Sequence, residues 1–292
     1  MSAIDQAFIR AYQSDETALQ AAAPKSAGAT AGPHVHIHRP SAAASLGDDA
    51  SERRPLSAYV QPAQTVDARF KPSLEVDAFR WSAVCDEIVA RHAARLRPVL
   101  DALLSADDAG RSLIGVGAAA AGVGATTLVG CLARLLTDAG KSVAIVDADF
   151  SSPGLAASLG LAVEIGWEDV LAGRVPLAEC AVQSIGDRVI VVPLVQGGAP
   201  AAEKLDAIHA SVTAGVLRYH YDMVLFDLGT VADPVQGAIA RRVVGQCRLD
   251  ALLLAVGGEP PAGSLPQQLL QSTPELAAIC LGVVENQFHA VA

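Results

Sequence analysis

Glycines, hydroxyls and carboxylates recur at three separated places in this sequence, with the types and spacing that phosphate and metal chemistry require. Ser112 to Thr127, SLIGVGAAAAGVGATT, passes from an apolar segment through small residues to Gly122, Val123, Gly124, Ala125, Thr126 and Thr127. A glycine-rich turn leading into a helix presents unpaired N–H groups and a partial positive charge, which together make an anion site. Phosphate loops of the G-x-x-x-x-G-K-[ST] pattern carry a lysine that reaches the β- and γ-phosphates. That position here is Ala125. Asp147 and Asp149 follow a second apolar run and Asp227 a third. Carboxylates so placed can hold a hydrated divalent cation or orient an attacking group. A plainer reading of the loop alone also stands: Gly122 and Gly124 shape a tight turn, and the aspartates cap helices.

The elements that must position these residues follow from the hydrophobic pattern. Continuous apolar runs at Leu113–Val116, Ser142–Val146, Val189–Val192, Met223–Phe226, Ala251–Val256 and Ile279–Val284 read as buried strands. Helical patterns separate them, at Thr127–Ala139 before Gly140, at Ala201–Tyr219 and at Val235–Val244, with shorter pieces at Leu155–Leu159, Trp167–Ala172 and Leu177–Ala181. A further helical stretch runs from Val76 to about Leu104. Its candidate core positions are Val76, Phe79, Ala83, Ile88, Ala90, Leu96, Val99 and Leu103, and Pro98 predicts a kink or break. Apolar strands alternating with helices predict an α/β domain, a mostly parallel sheet covered on both faces. The site then lies at the carboxyl ends of the strands, which brings the loop, Asp147 with Asp149, and Asp227 to one edge.

The chain has 292 residues, half of them apolar, and a formal net charge of −10, which argues against a broad grip on nucleic acid or an anionic membrane. Its five cysteines, Cys85, Cys131, Cys180, Cys247 and Cys280, are scattered without a C-x-x-C pair, so neither a disulfide framework nor a zinc site is expected and a reduced cytoplasm is. The opening MSAIDQAFIR lacks a signal-peptide core. The 22 uncharged residues between Arg111 and Arg134 are long enough to span a bilayer, but their glycines and paired threonines fit strand, loop and buried helix instead, so no transmembrane segment is expected. Residues 1–73 are expected to be a disordered segment preceding the domain at 74–292. Residues 4–20 could form a short amphipathic helix that docks on a partner, and an alanine- and proline-rich linker follows. Within it His34, His36 and His38 alternate, as incidental residues or as metal ligands.

Together the motifs resemble the MinD/ParA-like branch of P-loop ATPases, and most closely the cytoplasmic domains of bacterial tyrosine kinases that work with polysaccharide chain-length and export proteins. The likeness covers about residues 74–287. The branch's K-G-G-V-G-K-T-T aligns with Ala120-Ala121-Gly122-Val123-Gly124-Ala125-Thr126-Thr127, so both lysines are alanine. The kinases' D-x-D-x-R matches Asp147-Ala148-Asp149-Phe150-Ser151 without the arginine, and D-x-x-P matches Asp227 with Thr230 in place of proline. Trp167 to Gly173 resembles the short helix after the second motif. A helical E-x-x-R-x-x-R implicated in ring assembly aligns with Asp77, Arg80 and Ala83, and the kinases' tyrosine-rich tail has no counterpart in VVENQFHAVA.

The resemblance implies ATP and Mg2+ as ligands if the site is still used. Gly122 to Thr127 would cradle the phosphates, Thr126 and Asp147 would bind the metal, Asp227 would hold a metal-bound water, and Asp147 and Asp149 are the catalytic candidates. Loss of a charge-assisted bond from lysine costs about 1.5–3 kcal/mol in binding, and the transition state loses more. Lys141 and Arg111 start strands, at the end away from the site. The expected function is thus a regulatory or adaptor pseudo-enzyme with weak or no ATP hydrolysis. It would be recruited to the inner face of the membrane by an export or chain-length protein, or another envelope partner, and could assemble with copies of itself. The alternative is an active ATPase or tyrosine kinase completed by a partner's cation. A MinD- or ParA-type positioning role fits less well, since the C-terminus lacks a basic amphipathic helix.

Overall fold

The structure, a computed structural model, describes residues 70–206, 208–257 and 264–286. They belong to the second of the two units into which the chain divides, Arg69–Ala292. The expected N-terminal helix, the linker and His34, His36 and His38 lie outside the described residues.

Eight strands form one sheet: β1 (Leu74–Val76), β2 (Leu113–Ala118), β3 (Val143–Asp147), β4 (Val182–Ser184), β5 (Val189–Val192), β6 (Met223–Thr230), β7 (Ala251–Gly257) and β8 (Cys280–Asn286). Their order across the sheet is β1-β4-β5-β3-β6-β2-β7-β8. Every pairing is parallel except β4 with β5. The helices are α1 (Ala83–Asp108), α2 (Ala125–Asp138), α3 (Leu155–Ser158), α4 (Trp167–Leu171), α5 (Leu177–Cys180), α6 (Ala199–Ala202), α7 (Ile208–His220), α8 (Pro234–Cys247), α9 (Ser264–Ser272) and α10 (Pro274–Ala278).

Alternation along the strands divides the core between the two faces of the sheet. Ile114, Val116, Val143, Ile145 and Leu225 pack with Leu100 and Leu103 of α1 and Leu128, Leu132 and Leu136 of α2. Ala144, Val146, Val224 and Phe226 pack on the other face with Trp167, Leu217, Ile239 and Val243. The central strands are buried on both sides, which is why they read as unbroken apolar runs. The apolar stretch between Arg111 and Arg134 is divided among β2, the glycine loop and α2, and among the described residues no helix is long and apolar enough to cross a membrane.

Several expectations are corrected. Val76 ends strand β1 instead of starting a helix, and α1 begins only at Ala83, where the Ser82 hydroxyl accepts from the Cys85 N–H. Pro98 does not break α1, which runs through it to Asp108. Pro98 and Ala94 are both exposed, so the hydrogen bond that proline removes falls on the solvent face, where water can replace it. Ala83 and Ala90 are exposed, whereas Phe79 and Leu103 are buried. The stretch expected as one helix over 201–219 is divided into α6, a 3-10 turn at Glu203–Asp206 and α7. Asp77 and Arg80 lie on the irregular segment before α1, so the arginine pattern of the resemblance is not displayed on a helix.

Candidate functional site

Strand order puts β3, β6 and β2 side by side, so the ends of three apolar runs distant in sequence open at one place. Asp147 is the register partner of Asp227 across β3 and β6, and Val116 of β2 is the partner of Asp227 on its other side. Beyond β2 the loop turns through Gly122 (φ 75°) and Gly124 (φ 89°), both in the left-handed region that favours glycine. Gly124 is the N-cap of α2, and no side chain caps that helix. Its first-turn amides therefore remain donors for an anion. From the far side the Asn286 side-chain amide donates to the Val123 carbonyl at 2.8 Å, which holds the loop to the end of β8.

The carboxylates behave differently from one another. Asp227 is buried, accepts from the Gly229 N–H at 3.2 Å and is hydrogen-bonded to the Thr126 side chain. Burial pushes its pKa up to about 6, against the pull of those bonds. Asp147 is also buried. Its Oδ1 accepts from the Asp149 N–H at 3.2 Å, and its Oδ2 from Gly154 and Leu155 at 3.3 and 3.1 Å, so it also ties down the start of α3. Burial, and next the charge of Asp227, push Asp147 up to about 8. Asp149 is half-buried and accepts from the N–H groups of Ser151 and Ser152, and burial raises it too. A Cβ at Gly229 would collide with the Asp149 carboxylate, which brings all three aspartates to one edge.

Two neighbouring carboxylates penalised by burial and by each other, beside a hydroxyl, fit a divalent cation, whose charge would remove that penalty. Among the described residues no cluster of three or more His, Cys, Asp or Glu side chains is arranged to hold a metal. A cation here would complete its shell with the Thr126 hydroxyl, water and phosphate oxygens. The loop fits a phosphate through its backbone and lacks the cation for its charge. Ala120 is exposed and Ala125 is buried at the first position of α2.

Sequence reasoning missed Gln236 and the approach of α1 to the loop. Gln236 is wholly buried beneath the aspartates: its Nε2 donates to the carbonyls of Ala148 (3.0 Å) and Leu228 (2.7 Å), and its Oε1 accepts from the N–H and the hydroxyl of Ser151. Helix α1 also reaches the loop. A cavity of about 440 Å3 is bordered by Gly122, Val123 and Gly124 on one side and by Ile88, His92 and Arg95 of α1 on the other. Arg95 makes no ion pair or hydrogen bond among the described residues. The i, i+4, i+7 spacing of Ile88, His92 and Arg95 was the available signal. Lys141, by contrast, pairs with Asp107 at the opposite end.

No protein-family model matches the chain, and no curated protein matches it in sequence. Solved structures do match it. The chimerical protein CapA2B2 superposes with a TM-score of 0.62 at 17% identity, covering 74% of this chain and 96% of that one. The BceF tyrosine kinase domain gives 0.55 at 18% identity, covering 72% and 91%. The cell division ATPase MinD of Pyrococcus furiosus gives 0.50 at 21% identity, covering 60% and 71%. The chain has the MinD/ParA-like P-loop α/β fold, of the form found in bacterial tyrosine kinase domains.

Proposed function

We propose that this chain is a regulatory or adaptor protein on an ATPase scaffold, with weak or no ATP hydrolysis, acting beside a membrane polysaccharide export or chain-length protein or another envelope partner. The observation that carries this reading is the pair Ala120 and Ala125 in a loop whose glycines, hydroxyls and neighbouring carboxylates are otherwise in place. Backbone N–H groups from Gly122 to Thr127 would take the phosphates. Thr126, Asp147 and Asp227 would hold magnesium, which when bound neutralises phosphate charge. Asp147 and Asp149 would face the attacking group. Phosphoryl transfer relies on positioning and on charge stabilisation, and the second is what the two alanines remove. Binding therefore survives better than turnover. The chain is similar in fold to bacterial tyrosine kinase domains, which supports the choice of an envelope partner over a DNA-bound one, as does the net charge of −10. The test is ATP turnover by the purified chain with magnesium. Turnover is expected at background level and unchanged by Asp147→Asn. Rates at the level of ordinary kinases, abolished by that substitution, would sink the proposal.

A further inference from the structure

Cys85 and Cys131, 46 positions apart, meet where α1 packs on α2. The Cys131 thiol donates to the Cys85 sulfur across 3.5 Å, and both side chains are buried. Gly130 makes this approach available: a Cβ there would stand 3.3 Å from the Trp81 ring and 3.6 Å from the Cys85 Sγ, so a larger residue would hold the helices apart. Beside the pair, Arg134 Nη1 lies 3.9 Å from the Cys85 Sγ. The guanidinium is held there by Asp86 at 2.7 Å and by the Trp81 ring, 5.6 Å below it. The S–H donated by Cys131, and then Arg134, outweigh burial and lower the Cys85 pKa to about 7, while the same contact raises Cys131. The guanidinium beside the Cys85 sulfur favours its thiolate, which makes Cys85 the nucleophile of the pair and Cys131 the thiol that resolves it. Cys131 also lines the cavity of about 440 Å3 beside the glycine loop, so a small molecule in that cavity meets one thiol of the pair, 3.5 Å from the other.

We propose that Cys85 and Cys131 form a reversible oxidation site for a small hydroperoxide, closing to a disulfide that staples α1 to α2. The Cys85 thiolate attacks one peroxide oxygen. The O–O bond breaks, hydroxide leaves and takes a proton, and Cys85 becomes a sulfenic acid. Cys131 then gives up its proton and attacks the Cys85 sulfur, the S–O bond breaks and water leaves. Two thiols are oxidised and one hydrogen peroxide is reduced to two waters. A thiol reductant reverses the change by exchange. Because α1 forms one wall of the cavity and α2 begins at the phosphate loop, the staple fixes the wall against the loop. The chemistry is independent of whether nucleotide binds. Cys180 and Cys247 are buried, Cys280 is half-buried, and none of the three has another thiol as a hydrogen-bond partner.

The experiment is peptide mapping of the full-length protein after mild hydrogen peroxide, with free thiols alkylated on unfolding. The expected product is a Cys85–Cys131 linked peptide that dithiothreitol abolishes. The linked protein should melt higher by roughly 5–10 °C, from the constraint on a long loop. In Cys131→Ser the reaction should stop at a Cys85 sulfenic acid that dimedone traps. If that variant does not fold, Cys280→Ser, which should retain the linkage, takes its place as the specificity control. Finding Cys85 and Cys131 both still alkylatable after doses that oxidise Cys280, or linked to other cysteines, would overturn the proposal.

Discussion

Asp227 holds its place against a penalty, and that penalty has a sign in pH. Its pKa is raised from an ordinary 3.8 to about 6, so between those values the folded chain binds more protons than the unfolded one. Stability therefore falls as pH rises through that window and is lowest once Asp227 is ionised. Asp147, raised to about 8, extends the decline upward. In Asp227→Asn the side-chain oxygen can still accept from Gly229 and the amide can donate to the Thr126 hydroxyl, with no charge to bury. At pH 8 this variant should be more stable than the parent by roughly 2–3 kcal/mol, and the gap should close below about pH 4. Denaturant unfolding at the two pH values measures it. A gap that does not change with pH would contradict the assignment of the penalty to ionisation.

At the level of elements the loop is held by its glycines and by the end of β8. Gly122 has φ 75° with open space where a Cβ would go, whereas at Gly124, with φ 89°, a Cβ would stand 2.9 Å from the Asn286 amide nitrogen. Alanine at either position costs about 1–2 kcal/mol for a left-handed backbone. Gly124→Ala must also displace Asn286, so its loss in urea unfolding should exceed that of Gly122→Ala; equal losses would mean that Asn286 does not brace the loop. The sequence shows much of this framework and omits specific parts of it. Strands β2, β3, β5, β6 and β7 are legible because burial on both faces leaves apolar runs, and the half-exposed edge strand β8 is legible from its own short apolar stretch. The three-residue β1 and β4 carry no period to read, and β4 turns antiparallel through Arg188 in the left-handed region. The convergence of Asp147, Asp149 and Asp227 was legible because parallel strands put their ends together. The parts supplied by packing were not: Gln236 beneath the aspartates, Arg95 across the cavity, and the contact of Cys85 with Cys131 through Gly130.

For the whole molecule, the fold is the α/β sheet shared with MinD and bacterial tyrosine kinase structures, with Asp147 and Asp227 paired across β3 and β6 beside a glycine loop that carries alanine at positions 120 and 125. Arg95 of α1 borders the same cavity as the glycines of the loop. Under the proposed function such a molecule holds a ligand or a conformation rather than driving turnover. The central claim, that the phosphate site is intact apart from its lysine, is tested most directly by titrating ATP with magnesium into the purified chain and into Ala125→Lys. A restored charge-assisted bond should tighten binding on the order of 10- to 100-fold over the parent. Equal affinities, or no binding by either protein, would contradict the account, because the loop would then be a turn that no longer receives phosphate.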